Sequence, residues 1–98
     1  MFVTNFYNPS HRLEPGMVNK EHFATLIEIS PIRSEKVITA LREYYVHGKK
    51  RKCISDVYGI NQGYFSIKIR EMQRLNSCIC SMIPYYFEKI DYLHHSQT

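Results

Sequence analysis

From about residue 19 onward the apolar positions of this chain recur at helical spacing. Phe23, Leu26 and Ile27, with Ile29, predict a first helix from about Asn19 to Ile29, capped by Asn19 and carrying Glu21 in its first turn. Ser30-Pro31 interrupts it. Ser34 is placed to cap a second helix, with Glu35 favourable to its dipole and Val37, Ile38, Leu41 and Tyr44/Tyr45 as its stripe up to Gly48. Ile54 and Val57/Tyr58 mark a short third helix, which Gly59 ends in a left-handed conformation. Asn61 then caps a fourth helix on which Phe65, Ile69 and Met72 stand at i, i+4 and i+7. Ile79, Met82 and Ile83 carry the period on until Pro84 stops it, and Ile90 to Leu93 predict one more short turn. With no period-2 stretch of useful length, the pattern predicts an all-α fold, a small bundle of about five helices.

Met1 to Gly16 is broken by Asn5, Asn8, Pro9, Ser10, Pro15 and Gly16, too often for a regular element, so residues 1–16 are expected as a flexible arm, although Phe2, Phe6 and Tyr7 offer packing groups. The domain proper is expected over 17–93, followed by a polar tail over 94–98.

The third and fourth helices, joined by a tight glycine turn, read as a helix-turn-helix. At about 100° per residue, Gly63, Ser66, Ile67, Arg70 and Arg74 fall opposite Phe65 and Ile69, on a face open to a partner. Charge concentrates here too. Residues 42–74 hold eight Lys/Arg against three acids, a balance of +5, whereas the whole chain carries +4. A polyanion suits such a patch. Gln62, Gly63, Ser66, Ile67, Arg70 and Arg74 are therefore candidate DNA contacts: glycine permits close backbone approach, arginine reads guanine or phosphate, and isoleucine can touch a thymine methyl. In the run Lys49 to Lys52, the residues Lys50, Arg51 and Lys52 at the start of the third helix are candidates to neutralise phosphates, Arg51 foremost. The bland alternatives are a solvated basic helix and a helix-turn-helix that docks on another protein, such as a regulator or a polymerase subunit.

Length and composition bound the remaining possibilities. With 98 residues, 44% hydrophobic and 22% charged, one small domain with a single core is expected. No stretch approaches the roughly 20 apolar residues of a membrane span, and the start has no basic region followed by an apolar run, so a cytoplasmic protein is expected. Three cysteines without framework spacing suit a reducing compartment. Cys78 and Cys80 point about 200° apart on a helix, so with His94 and His95 they do not make a metal site; Cys53 is expected as a small buried or half-buried residue. There are no paired carboxylates on one helical face, no phosphate loop and no nucleophile beside a base, which argues against an enzyme, a cofactor or a small-molecule substrate. Tyr85-Tyr86-Phe87 after Pro84 is either an oligomer interface or a cap on the core.

The segments ISPIRSEKVITAL (residues 29–41), NQGYFSIKIREMQRLN (61–76) and PYY (84–86) resemble the PapB-like adhesin (fimbrial) biosynthesis transcription regulators. The similarity runs from about Met17 to Tyr86, and its most specific part is the Asn-x-Gly-Tyr-Phe-Ser element at Asn61 to Ser66. The resemblance implies a small bacterial all-α protein, associated with the nucleoid, that binds AT-rich control DNA as an oligomer and governs phase-variable expression of a fimbrial operon. It adds Asn61 and Tyr64 to the DNA-binding candidates and supports Arg51, Gly63 and Ser66; after Ser66, Ile67-Lys68 departs from the family. A helix-turn-helix reads the major groove, whereas the resemblance implies the minor groove of AT-rich DNA, where width and potential attract arginine; Arg70 and Arg74 serve either mode.

Overall fold

The computed structural model describes residues 12–96, with side chains through Phe87. Four helices follow in order among the described residues: α1 (Lys20–Ile29), α2 (Glu35–Tyr45), α3 (Arg51–Tyr58) and α4 (Gln62–Ser96), with no strand. The fold is all-helical, and the count of about five falls to four because α4 runs through Pro84. Proline removes one N–H and crowds the preceding turn at a cost of about 3 kcal/mol, but the residues after it keep their own helical hydrogen bonds. The separate turn expected at Ile90 to Leu93, and the first residues of the expected tail, belong to α4.

Local chemistry sets the ends of the helices. Asn19 Oδ1 accepts from the backbone N–H of Glu21 at 2.8 Å and of His22 at 3.1 Å, which starts α1. Ser30 ends it: its N–H reaches the carbonyls of Leu26 and Ile27, and its hydroxyl donates to the Ile27 carbonyl at 2.8 Å. The following proline holds Ser30 in extended backbone. Ser34 Oγ accepts from the Val37 N–H at 3.3 Å and opens α2.

The core is assembled around α2, which packs against each of the other helices. Val37, Ala40, Leu41 and Tyr45 of α2 meet Phe23 and Leu26 of α1, Ile54 of α3, and Phe65, Ile69 and Met72 of α4. Burial of each large apolar side chain contributes about 1.5 to 3 kcal/mol. Ile29, predicted as part of the apolar face of α1, is exposed instead. On α3 the buried residues are Ile54 and Ser55, with Tyr58 half-buried, and Val57 is 73% exposed. The centre of that face lies between Ile54 and Ser55, so Tyr58 at i+4 falls inside it and Val57 falls outside.

The segment 12–18, which overlaps the expected arm, is anchored to the core through buried Leu13 and Val18, while the residues between them are exposed. Leu13 is buried, and its backbone makes a reciprocal pair with Gln73: the Leu13 N–H donates to Oε1 at 3.1 Å, and Nε2 donates to the Leu13 carbonyl at 2.8 Å. Gly16 and Val18 N–H groups donate to the carbonyls of Tyr44 and Tyr45, each at 3.1 Å. Residues 1–11, which make up most of that arm and hold Phe2, Phe6 and Tyr7, lie outside the described residues.

The principal dimensions are 57 × 24 × 19 Å, and α4 sets the longest of them, since its 35 residues span about 52 Å. No helix among the described residues is long and apolar enough to cross a membrane.

Candidate nucleic-acid interface

Lys50, Arg51 and Lys52 are exposed at the start of α3, and no side chain caps its first turn. Their situations differ. Lys52 Nζ lies 3.8 Å from Asp56 Oδ2 with both side chains well exposed, a pair worth little in water. Arg51 instead reaches across to two other helices. Its Nη1 donates to Ser66 Oγ of α4 at 3.1 Å, Nη2 makes a long 3.5 Å contact with the Tyr44 hydroxyl of α2, and the guanidinium lies 5.5 Å from the centre of the Tyr44 ring. No carboxylate pairs with Arg51 among the described residues. Its charge meets neutral partners only.

The turn from α3 to α4 is built from three residues. Gly59 adopts φ 63°, ψ 41°, a left-handed conformation that glycine enters without steric cost. The Ser55 carbonyl accepts from the N–H groups of both Gly59 and Ile60, and the Ser55 hydroxyl donates to the Ile60 carbonyl. Ile60 is buried as the anchor of the turn. Asn61 Oδ1 then accepts from the Tyr64 N–H at 3.0 Å and opens α4. A Cβ at Gly63 would stand 3.1 Å from that oxygen, so glycine leaves the cap room to close. The carboxamide oxygen of Asn61 is thereby used inside the protein, and its NH2 group remains for a partner.

The first three turns of α4 divide into two faces. Phe65, Ile69 and Met72 are buried, while Gln62, Gly63, Tyr64, Ile67, Arg70 and Arg74 are exposed, Ile67 to 48% and Tyr64 to 46%. Ser66 is half-buried at the edge of the open face and turned to Arg51. Lys68 is drawn aside: its ammonium lies 3.3 Å from Glu71 Oε1 and 5.3 Å from the Tyr64 ring centre. The open face therefore presents Arg70 and Arg74 beside Ile67 and Tyr64, with Arg51 at its flank. Cations next to apolar groups can meet phosphates and base edges together.

Further along α4, Tyr85 is 72% exposed, Tyr86 61% and Phe87 41%, which sets aside the reading of all three as a cap on the core. Cys53 is exposed on α3 rather than buried or half-buried, because the core takes its neighbours Ile54 and Ser55. Sequence reasoning missed Tyr44 as a site residue. Its position in the stripe of α2 gave it a packing role, and only the tertiary fold sets its ring against Arg51.

Residues 2–86 match the family described as "Adhesin biosynthesis transcription regulatory protein". The regulatory protein FanB of Escherichia coli is 55% identical over 67 residues, covering 68% of each chain. The Escherichia coli regulatory protein of the major pilus subunit operon, PapB, is 40% identical over 77 residues, covering 79% of this chain and 74% of its own. The crystal structure of Escherichia coli FocB superposes with a TM-score of 0.72 at 36% identity, over 87% of this chain and 94% of that one. The curated relatives are named as regulatory proteins, not as enzymes.

Proposed function

Because the chain belongs to the adhesin biosynthesis transcription regulatory proteins, and so is a transcription regulator and not an enzyme, we propose that it acts by binding AT-rich control DNA of a fimbrial adhesin operon as an oligomer, through α3, the Gly59 turn and α4 used as a helix-turn-helix. The observation that carries this reading is the open face of α4, where Arg70 and Arg74 stand beside an exposed Ile67 and no carboxylate neutralises them among the described residues. In this reading Arg51, with Lys50 and Lys52, meets phosphates beside the groove, and Asn61, Gln62, Gly63, Tyr64 and Ser66 line the entry of α4. Exposed Tyr85, Tyr86 and Phe87 serve contact between copies. A single motif makes few phosphate contacts, and lone modules bind non-specifically at only about 10⁻⁴ to 10⁻⁶ M. Linked copies raise one another's effective concentration on the duplex. The site of action is then the bacterial chromosome in the cytoplasm.

The test is a salt titration of binding to an AT-rich duplex, with a GC-rich duplex alongside. Phosphate neutralisation predicts that log affinity falls linearly with log salt, by about 0.9 per phosphate contacted. No affinity for either duplex would overturn the reading and favour docking on a protein; equal affinity for both would remove the AT preference.

A further inference from the structure

We propose that Tyr44 and Ser66 are positioning residues for Arg51, and that together they hold its guanidinium ready for a DNA phosphate before DNA arrives; this inference rests on the DNA-binding reading above. Three observations carry it. First, Arg51 starts α3, yet its guanidinium is placed by the other two helices of the site, through Ser66 Oγ on α4 at 3.1 Å and the ring and hydroxyl of Tyr44 on α2. Second, both partners are neutral. Lys52 and Lys68 share their charge with Asp56 and Glu71, while Arg51 keeps its charge whole and, of its five N–H donors, has three left for an incoming anion. Third, Tyr44 is itself fixed from below: its ring meets Tyr45 edge-on at 4.9 Å and Phe65 at 6.0 Å, two fully buried residues of the core.

A free arginine loses much rotamer entropy when it binds a phosphate, and a guanidinium already held in one geometry has lost it during folding. The arrangement also sets register. The guanidinium bridges the start of α3 and the second turn of α4, so a phosphate bound there lies at a fixed offset from the groove-facing Ile67 and Arg70. Ser66 then acts through Arg51 rather than by touching DNA itself.

The experiment is a double-mutant cycle on affinity for an AT-rich duplex at fixed salt, with Ser66→Ala and Tyr44→Phe made in the wild type and in Arg51→Ala. Each hydroxyl deletion in the wild type is expected to weaken binding about threefold to tenfold, the worth of ordering one flexible side chain, with the larger effect at Ser66. In the Arg51→Ala background both are expected to change nothing, and Ser66→Thr, which keeps the hydroxyl, is expected to retain wild-type affinity. Tyr44→Phe keeps the ring and Ser66→Ala favours the helix, and thermal melts establish that each variant is folded. Losses that persist in Arg51→Ala would overturn the inference, assigning Ser66 a direct DNA contact or Tyr44 a purely structural role; so would wild-type affinity in both single variants. A wild-type chain with no affinity for the duplex would overturn the DNA-binding reading together with the inference, whereas persistent losses in a chain that binds overturn the inference alone.

Discussion

Gly16 and Gly48 stand face to face, both left-handed, at φ 75° and 71°, so closely that a Cβ on Gly48 would lie 3.2 Å from the Gly16 Cα and one on Gly16 would lie 3.1 Å from the Gly48 Cα. The contact joins the segment leading into α1 to the connection between α2 and α3, next to the hydrogen bond from the Gly16 N–H to the Tyr44 carbonyl. Gly48→Ala meets two penalties there. A left-handed backbone costs an L-residue about 1 to 2 kcal/mol, and the opposing atom is backbone, which cannot step aside as a side chain tip would. The melting temperature is expected to fall by about 4 to 8 °C for each kcal/mol lost in a domain of this size. An unchanged melt would mean that this junction can shift without loss.

Tyr45 couples the core to pH. Its hydroxyl is buried and donates to the Ile69 carbonyl at 3.2 Å. Burial, above all, with the neighbouring Tyr44 adding to it, pushes the phenol well above its ordinary range. In the unfolded chain the group ionises near its usual value of about 10, while in the fold it stays neutral to higher pH. Between these two points the unfolded state binds fewer protons than the native state, so stability is full below pH about 10 and declines as pH rises above it. Tyr45→Phe removes this titration and is expected to flatten the alkaline decline, while the lost hydrogen bond costs about 0.5 to 1.5 kcal/mol at neutral pH. Denaturant melts of both proteins at pH 7 to 11 measure the two effects; parallel alkaline declines would assign the loss to other groups.

Phe65→Ala tests whether the core stripe of α4 is the keel of the domain. Phe65 is 1% exposed and carries the edge contact with Tyr44. Truncating a buried phenylalanine leaves a cavity and costs about 3 to 5 kcal/mol, a large share of the stability of a small domain. Chemical denaturation should show that drop, and a loss below about 1 kcal/mol would mean that Ile69 and Met72 hold α4 without it.

What could be read from sequence depended on the range of the interaction that decided each feature. The caps at Asn19, Ser34 and Asn61, the break at Ser30-Pro31 and the stripe of Phe65, Ile69 and Met72 are local, so period and residue type were enough to place them. Pro84 misled because a local penalty of a few kcal/mol was weighed as if it were absolute. Val57 misled for a different reason: it stands three residues after Ile54 and Tyr58 four, so spacing alone admits either beside Ile54 on the buried face, and tertiary packing chose Tyr58. The Leu13–Gln73 pair spans 60 residues, and nothing in spacing announces it. For the candidate site, exposure of Arg70, Arg74 and Ile67 followed from the helical wheel, whereas the approach of Arg51 to Tyr44 and Ser66 arises only where three helices meet.

Arg70 and Lys68 are two cations on one helix with opposite expectations. Arg70 is exposed on the open face, while Lys68 is half-buried and engaged with Glu71 and the ring of Tyr64. If the open face meets DNA, Arg70→Ala is expected to weaken binding by about 1 to 3 kcal/mol where it reads a base, or to lower the salt slope by about one where it meets a phosphate. Lys68→Ala is expected to weaken binding less than Arg70→Ala does, since its ammonium is drawn aside to Glu71 and the Tyr64 ring. The reverse ranking would mean that the binding face is rotated away from Arg70 toward Lys68 and Glu71.

The exposed end of α4 carries the last prediction. Tyr85, Tyr86 and Phe87 are consecutive and together cover more than half a turn of the helix, on a stretch where Met82 is exposed as well. Lone exposed aromatics are ordinary on a protein surface, but four large apolar residues within six positions form a patch of the kind that binds another protein surface. Truncation of Tyr86, already 61% exposed, removes little from the monomer, so Tyr86→Ala is expected to melt close to the wild type. Sedimentation at increasing concentration is expected to show a wild type that associates and a Tyr86→Ala variant shifted toward the monomer, with weaker and less cooperative coating of long AT-rich duplex. A wild type that stays monomeric and still coats DNA without cooperativity would assign these aromatics another partner. A variant that unfolds would place Tyr86 in the stability of the domain instead.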